Sequence, residues 1–187
     1  MANDTKRIHP HKFMMWIAIG SLCMMFAGLT SAYIVKRNQT KWQDFDLPVV
    51  FYYSTLVIIL SSVSIYLALK SFKAREMGRY KVLMALTATL GVLFAVLQLE
   101  GFSYLNSHGI KLLGEGSNSA ASFLFVIISL HVLHVFGGVI ALLIIFVRSY
   151  SRKVKNYNSL PIEIVSTYWH FVDFLWIYLL LFFIWIR

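Results

Sequence analysis

Apolar residues form five long runs in this 187-residue chain, and charged residues collect in the short segments between them. The runs cover roughly 13–35, 48–69, 82–105, 119–147 and 163–186. Because the hydrocarbon core of a bilayer is about 30 Å thick, a helix needs about 20 apolar residues to cross it, and every run is long enough. No segment shows the alternation of a membrane β-barrel strand. The pattern predicts an all-α, polytopic membrane bundle with five transmembrane helices, in which residues 1–187 form a single membrane domain.

Composition and charge refine this picture. Hydrophobic residues make up 59% of the chain, whereas a soluble domain is about 45–50% apolar. Twelve of the 17 Lys and Arg residues precede the first span or lie in the second and fourth loops, and five fall on the other side of the predicted membrane. Because basic residues favour the cytoplasmic side, we predict a cytoplasmic amino terminus and an outer carboxyl terminus. The net charge of +9 therefore indicates topology and not nucleic-acid binding.

The segments outside the runs carry few other signals. Residues 1–12 lack the small-residue cleavage site of a signal peptide, so the first span is expected to remain in the protein. The single cysteine, Cys23, excludes an intrachain disulfide and a Cys-rich metal site. Pro48 and Pro161 each suit the first turn of a helix, and Glu163 suits the positive end of the fifth helix dipole.

Five ionisable side chains lie inside the predicted spans, namely Glu100, His131, His134, His170 and Asp173. Such groups are costly in lipid and usually face protein or water. His131 and His134 share one helical face, as do His170 and Asp173, because three positions separate the members of each pair. At a rise of about 1.5 Å per residue, Asp173 and His134 are expected at similar depth on neighbouring helices.

These residues allow a structural and a chemical interpretation. In the structural one, each imidazole or carboxyl group hydrogen-bonds a neighbouring helix and fixes its position. In the chemical one, histidines hold a metal or haem, such as a haem b held by His131 or His134 together with His170 in a stand-alone electron-transfer protein. In a third, Glu100 and Asp173 are the coupling groups of a small proton-coupled transporter, although five unequal spans fit the paired repeats of transporters poorly.

Four stretches resemble the cytochrome c oxidase subunit III family. HVLHVFGGVIALLIIFVR (131–148) and YWHFVDFLWIYLL (168–180) are similar to its last two spans, and YWHFVDxxW is a highly specific motif. LGVLFAVLQLEGFSY (90–104) looks like the preceding span, with Gln98 in its usual place, and SLCMMFAGLTSAY (21–33) looks like the first span of the short form. The resemblance covers nearly the whole chain and implies the five-helix bacterial form, which lacks the first two helices of the seven-helix form.

The resemblance implies a function that the residues alone do not establish. A family member binds no haem or copper itself. It packs on subunit I of a haem–copper terminal oxidase, with subunit II and other subunits nearby, and it sustains oxygen reduction and proton pumping in aerobic respiration. It also holds phospholipids in a cleft, where Arg148 matches an arginine that meets a lipid head group and His134 matches a lining histidine. The bacterial inner membrane is the implied location, and a larger respiratory supercomplex is an implied further partner.

The chain departs from the family pattern at two positions. Leu22 stands where the family often carries a buried carboxylate, so the resemblance implies no proton or lipid role for this position. Glu100 is one place nearer to Gln98 than the glutamate of many relatives. His170 and Asp173 are expected to satisfy each other's polar groups away from lipid. Polar packing inside the membrane is expected of six residues: His131, His170, Asp173, Trp169, Gln98 and Glu100. The electron donor of the oxidase stays open between cytochrome c and quinol, as does kinship with a nitric oxide reductase-associated relative.

Overall fold

The computed structural model describes residues 10–37, 46–114, 117–149 and 159–186. Within these ranges the chain forms five α-helices and no strand. The helices are α1 (Pro10–Lys36), α2 (Val50–Lys73), α3 (Met77–Ser107), α4 (Ser119–Arg148) and α5 (Leu160–Trp185). Each is long and apolar enough to cross a membrane, which confirms the predicted all-helical architecture with five spans.

Several helices extend beyond the predicted apolar runs. α2 continues through Lys73 instead of stopping at residue 69, and α3 begins at Met77 instead of residue 82. Long basic side chains can reach the head groups while their backbone stays helical, so hydropathy marks only the apolar part of a helix. The turn between these two helices is short, with Arg75 at a φ of 61°. Pro161 stands in the first turn of α5 as predicted, whereas Pro48 lies two residues before α2.

α5 lies at the centre of the bundle. Its neighbours are α1, α2 and α4, and α3 packs between α2 and α4. α1 contacts α4 and α5 but makes no close backbone approach to α2 within the described ranges. In the most apolar 18-residue stretch of α5, half of the residues are buried, against 17% in the corresponding stretch of α1. α1, α3 and α5 begin at one end of the bundle, called here the N-terminal end, and they finish at the C-terminal end.

Basic residues are concentrated at the N-terminal end, as the predicted orientation requires. Seven of the ten described Lys and Arg residues lie there: Lys12, Lys70, Lys73, Arg75, Arg79, Lys81 and Arg148. The other three, Lys36, Arg37 and Lys111, lie at the C-terminal end. The seven further basic residues of the chain fall outside the described residues: Lys6, Arg7, Lys41, Arg152, Lys153, Lys155 and Arg187. The cytoplasmic placement of the N-terminal end stays a prediction.

Glycines on α3 and α4 make room for a tryptophan side chain of α5. The Trp169 side chain is 1% exposed, and its indole ring lies against Gly91 of α3 and Gly138 of α4. A Cβ atom added at Gly91 would lie 2.7 Å from Trp169 Cη2, and one added at Gly138 would lie 3.0 Å from Cε3 of the same ring. Small residues are typical of helix contacts in membranes, where close van der Waals packing holds helices together.

Replacing Gly91 by alanine is expected to destabilise the bundle by about 1–3 kcal/mol, the usual cost of overpacking a filled interior. The added methyl group would overlap the Trp169 ring. Unfolding of the purified chain in detergent micelles, titrated with SDS and followed by circular dichroism, measures the change. Gly137→Ala is the matched control, because nothing lies within 4 Å of a Cβ atom built there. Equal stability of the two variants would contradict a packing role for Gly91.

Candidate functional site: buried polar groups around the fifth helix

Two tryptophans of α5 donate hydrogen bonds to hydroxyl groups of α2. Trp169 Nε1 donates to Ser61 Oγ at 3.0 Å, and Trp176 Nε1 donates to Thr55 Oγ1 at 2.9 Å. Along the two antiparallel helices the donors are seven positions apart and the acceptors six, so both bonds form in one register. Because lipid offers no hydrogen-bond partners, these bonds fix how α2 and α5 align.

The same surface of α2 also binds α3 and a histidine of α5. Gln98 Nε2 of α3 donates to Ser54 Oγ at 2.8 Å, and neither side chain is exposed. Ser62 Oγ lies 2.6 Å from His170 Nδ1, and Ser64 Oγ donates to a backbone carbonyl of α3 at 3.1 Å. We call this set the polar seam: Ser54, Thr55, Ser61, Ser62, Ser64, Gln98, Trp169, His170 and Trp176.

His170 and Asp173 do not bond to each other. Asp173 is 3% exposed, and neither of its carboxyl oxygens has a hydrogen-bond partner of normal geometry in the described part of the chain. Ser62 lies close enough to interact with Asp173, but the Ser62 hydroxyl pairs with the imidazole of His170. The expectation that the two side chains satisfy each other is therefore wrong. The spacing of three positions places both side chains on one face of α5, but the imidazole of His170 pairs with the Ser62 hydroxyl of α2 instead.

The two histidines of α4 lie among aromatic rings. His131 is fully buried, and its ring centroid lies 5.4 Å from that of Trp176, 5.8 Å from Phe94 and 6.2 Å from Phe26. Within the described ranges, neither of its ring nitrogens has a hydrogen-bond partner. His134 is half-buried; its Nδ1 lies 2.6 Å from a carbonyl oxygen of the preceding turn. Its ring centroid lies 6.0 Å from that of Phe26.

The histidines do not converge on a common space. His131 and His134 contact α1 through Phe26, whereas His170 bonds Ser62 of α2. Two axial ligands of one haem must face each other across the porphyrin, which these orientations do not provide. Among the described residues, no group of three His, Cys, Asp or Glu side chains could hold a metal ion. The geometry gives no support to the haem b interpretation.

The register of α4 and α5 sets the depth of Asp173. Gly138 faces Trp169 and His131 faces Trp176, so the antiparallel helices place His134 level with Asp173. The two residues nevertheless face different helices, since His134 contacts α1 and Asp173 approaches α2. Similar depth therefore does not make them a pair.

Glu163 joins three helices at the N-terminal end. Its Oε2 lies 3.0 Å from Lys12 Nζ of α1, and its Oε1 lies 3.1 Å from Lys73 Nζ of α2. Ser159 Oγ also donates to Oε1 at 3.0 Å. From the sequence, Glu163 was expected to interact with the helix dipole, and the lysines were expected only to mark the cytoplasmic side. The available signal was that all three residues stand at span ends on the same predicted side of the membrane.

The remaining candidates lie on the exterior or are spread along one helix. Arg148 is the last residue of α4 and is exposed. His134 lies fourteen positions earlier, about 21 Å away along the helix axis. A single lipid would therefore need its head group at Arg148 and a chain directed toward His134. Glu100 is exposed on α3, so the structure does not place it in the polar packing that was expected of it.

The hydroxyl groups of the polar seam were not predicted from the sequence. The signal was present in STLVIILSSVS (54–64), where Ser and Thr recur after about seven positions inside an apolar run. Seven positions are close to two helical turns, so these hydroxyl groups share one face of α2. A second missed contact joins α1 to α5, where Thr30 Oγ1 lies 3.2 Å from the Tyr178 hydroxyl.

A double-mutant cycle tests the central bond of the seam. Trp169→Phe combined with Ser61→Ala is expected to show a coupling energy of about 0.6 kcal/mol, the average for hydrogen bonds between membrane helices, and at most about 1.7 kcal/mol. SDS-titrated unfolding supplies the four free energies. The control cycle pairs Trp169→Phe with Ser64→Ala, whose hydroxyl bonds a backbone carbonyl of α3 instead. Coupling of the same size in both cycles would contradict a specific Trp169–Ser61 bond.

Glu163→Gln is expected to lower stability by about 0.2–1 kcal/mol for each of the two ion pairs that it removes. The lysine side chains are 40% and 55% exposed, so the loss should shrink at high ionic strength. Unfolding at low and at high NaCl concentration measures both effects. Glu76→Gln is the control, because the pair of Glu76 with Arg79 is local and does not join two helices. A loss that salt leaves unchanged would argue against the ion pairs as its cause.

Comparison with known proteins supplies a family. A model of the cytochrome c oxidase subunit III family matches residues 12–187. Cytochrome c oxidase subunit 3 of Bacillus sp. (strain PS3) is 26% identical over 169 residues, which cover 88% of this chain and 80% of that protein. Cytochrome bo(3) ubiquinol oxidase subunit 3 of Pseudomonas aeruginosa is 26% identical over 170 residues, with coverages of 88% and 79%. A probable cytochrome c oxidase subunit 3 of Mycobacterium bovis is 28% identical over 184 residues, with coverages of 92% and 89%.

Proposed function

This chain belongs to the cytochrome c oxidase subunit III family and is a haem–copper oxidase subunit III, and from this premise we propose that it is the non-catalytic helical companion of the subunits that carry the redox centres. Its main contact is subunit I, with subunit II and other oxidase subunits nearby. Its location is the bacterial inner membrane, and it sustains oxygen reduction and proton pumping by its partners. The observation that carries this proposal is the polar seam, whose indole, amide, imidazole and hydroxyl groups bond to neighbouring helices.

We propose cytochrome c as the electron donor of the complex. Two of the three relatives described above are named as cytochrome c oxidase subunits and one as a ubiquinol oxidase subunit. Oxygen consumption by the purified complex, measured with reduced cytochrome c and then with a reduced quinol, separates the two donors. Turnover with quinol alone would overturn the choice of donor and leave the role of this chain unchanged.

Bound phospholipid is the second part of the proposal. Arg148 offers a planar guanidinium group at an exposed helix end, and guanidinium suits a phosphate through two parallel charge-assisted hydrogen bonds. An acyl chain that follows α4 from this point runs toward His134. Mass spectrometry of lipids retained by the purified complex tests this part. Arg148→Gln should then reduce the amount of anionic lipid that is retained.

Purification through a tag on this chain, in a mild detergent, tests the main proposal. Mass spectrometry of the eluate should identify subunits I and II of a haem–copper oxidase in near-stoichiometric amounts. A visible spectrum of the chain separated from them should show no Soret band. A Soret band that follows the isolated polypeptide would favour an electron-transfer protein and overturn the proposal.

Asp173→Ala should weaken the bundle or its docking without removing a redox centre. The change leaves a cavity in a packed interior, and the side chains around it lose their van der Waals contacts with the carboxyl group. Less of the chain should therefore co-purify with subunit I, while the haem content per subunit I stays constant. Asp173→Asn is the matched control because it keeps the volume of the side chain. Loss of haem from a fully assembled complex would contradict this assignment.

A further inference from the structure

Glu100 interrupts the apolar exterior of the bundle. Among the described residues of the five helices it is the only exposed acidic side chain, since Glu163 is half-buried in its ion pairs and Asp173 is buried. The side chains beside it are apolar and face outward, with Val96 45% exposed and Leu99 63% exposed. Ionisable groups are costly on a lipid-facing surface and are usually covered by protein or by water.

The rotation of α3 directs Glu100 away from its own bundle. Gln98 binds Ser54 of α2, and Gly101 faces the Phe51 ring of the same helix. Because each residue advances about 100° around a helix of 3.6 residues per turn, Glu100 points about 200° away from Gln98. The carboxylate therefore extends outward from α3, on the side opposite to the polar seam.

No described cation compensates this carboxylate. The described ion pairs are formed by Glu163 and Glu76, and Glu100 takes part in none of them. It lies seven positions before Ser107, the last residue of α3, which is about 10 Å below the C-terminal end. Ser103, one turn further on, is also exposed and adds a hydroxyl group to the same face.

The exposed faces of α2, α4 and α5 have a different chemistry between their ends. α2 exposes Leu60, α4 exposes Leu143 and α5 exposes Leu181, each at 46–59% and each flanked by further apolar or aromatic side chains. Such faces match lipid chains. The face of α3 combines apolar groups with a carboxylate and a hydroxyl, which is a combination that another protein covers better than lipid does.

We propose that Val96, Leu99, Glu100 and Ser103, called here the α3 patch, form the surface by which this chain docks on a spanning helix of a partner oxidase subunit. The inference rests on the proposed function of the chain as an oxidase subunit. The partner helix presents an Arg or Lys side chain that pairs with Glu100, and it packs apolar side chains on Val96 and Leu99. Such a pair is a charge-assisted hydrogen bond shielded from water, and polar bonds between membrane helices fix their mutual position.

Site-directed crosslinking in the complete complex tests where the partner lies. The native thiol is removed by Cys23→Ser, and a photoactivatable maleimide is attached to Leu99→Cys in the α3 patch. Leu60→Cys on α2 and Leu143→Cys on α4 are the matched controls with comparable exposure. Leu99→Cys should crosslink to another oxidase subunit at least about fivefold more than either control. Labelling of lipid alone, of a second copy of this chain, or equally from all three positions would overturn the proposal.

Charge reversal tests the predicted cation. Glu100→Lys should reduce the amount of oxidase subunits that co-purify with the tagged chain by about tenfold or more, and Glu100→Gln should have a smaller effect, because like charges across a docked interface repel. The SDS-titrated unfolding of both variants should match that of the unmodified chain, since Glu100 has no described partner within it. Full retention of the oxidase subunits by Glu100→Lys would overturn the pairing.

The two proposals fail separately. If the unmodified chain brings down no oxidase subunits, the proposed function fails. If it brings them down while Leu99→Cys does not reach them and Glu100→Lys still retains them, only the docking surface is wrong.

Discussion

A polar group inside a membrane-spanning bundle must find its hydrogen-bond partner within the protein, and the arrangement of α2, α3 and α5 follows from that constraint. Trp169 and Trp176 reach α2 from one side, and Gln98 reaches it from another. Gly91 of α3 and Gly138 of α4 leave room for the Trp169 ring, which carries one of these donors. Packing and hydrogen bonding therefore depend on the same side chain, because the Trp169 ring that packs against the two glycines also donates the hydrogen bond to Ser61 of α2.

His131 is a buried polar side chain that is held by ring packing in the absence of a described hydrogen bond. Both of its ring nitrogens and one oxygen of Gln98 have no partner within the described residues, and an unsatisfied buried group costs about 1–3 kcal/mol. The imidazole instead packs edge-on or tilted against rings of three other helices, through Phe26, Phe94 and Trp176. Aromatic pairs contribute about 0.5–1.5 kcal/mol beyond the area that they bury. Three such contacts lower the cost, and through them the ring of His131 joins α4 to three other helices.

The sequence was sufficient to predict the five spans and the family, but it did not predict most of the side-chain contacts between the helices. Apolar runs define a helix by its length alone, and YWHFVDxxW is specific enough to indicate the family that the comparison confirmed. Which side chains contact each other depends on how each helix is rotated and on which helix lies beside it. A local sequence pattern contains neither piece of information. The spacing of His170 and Asp173 gave a shared face but could not reveal that Ser62 lies opposite them. Glu100 was expected in polar packing because its position in the chain does not tell which side of α3 faces the bundle.

The helices are held by two kinds of contact that respond differently to the surroundings. The polar seam binds α2, α3 and α5 through hydrogen bonds between membrane-spanning helices, and two of these bonds are fully buried. α1 is held by the ion pair of Lys12 with Glu163, by the contact of Thr30 with Tyr178, and by the rings of Phe26 and Tyr33. Since ion pairs with exposed partners are weak and screened by salt, α1 depends mainly on its ring contacts and on the contact of Thr30 with Tyr178. Only 17% of the most apolar 18-residue stretch of α1 is buried. Most of the surface of α1 therefore makes no contact with the other helices of this chain and faces lipid or another protein.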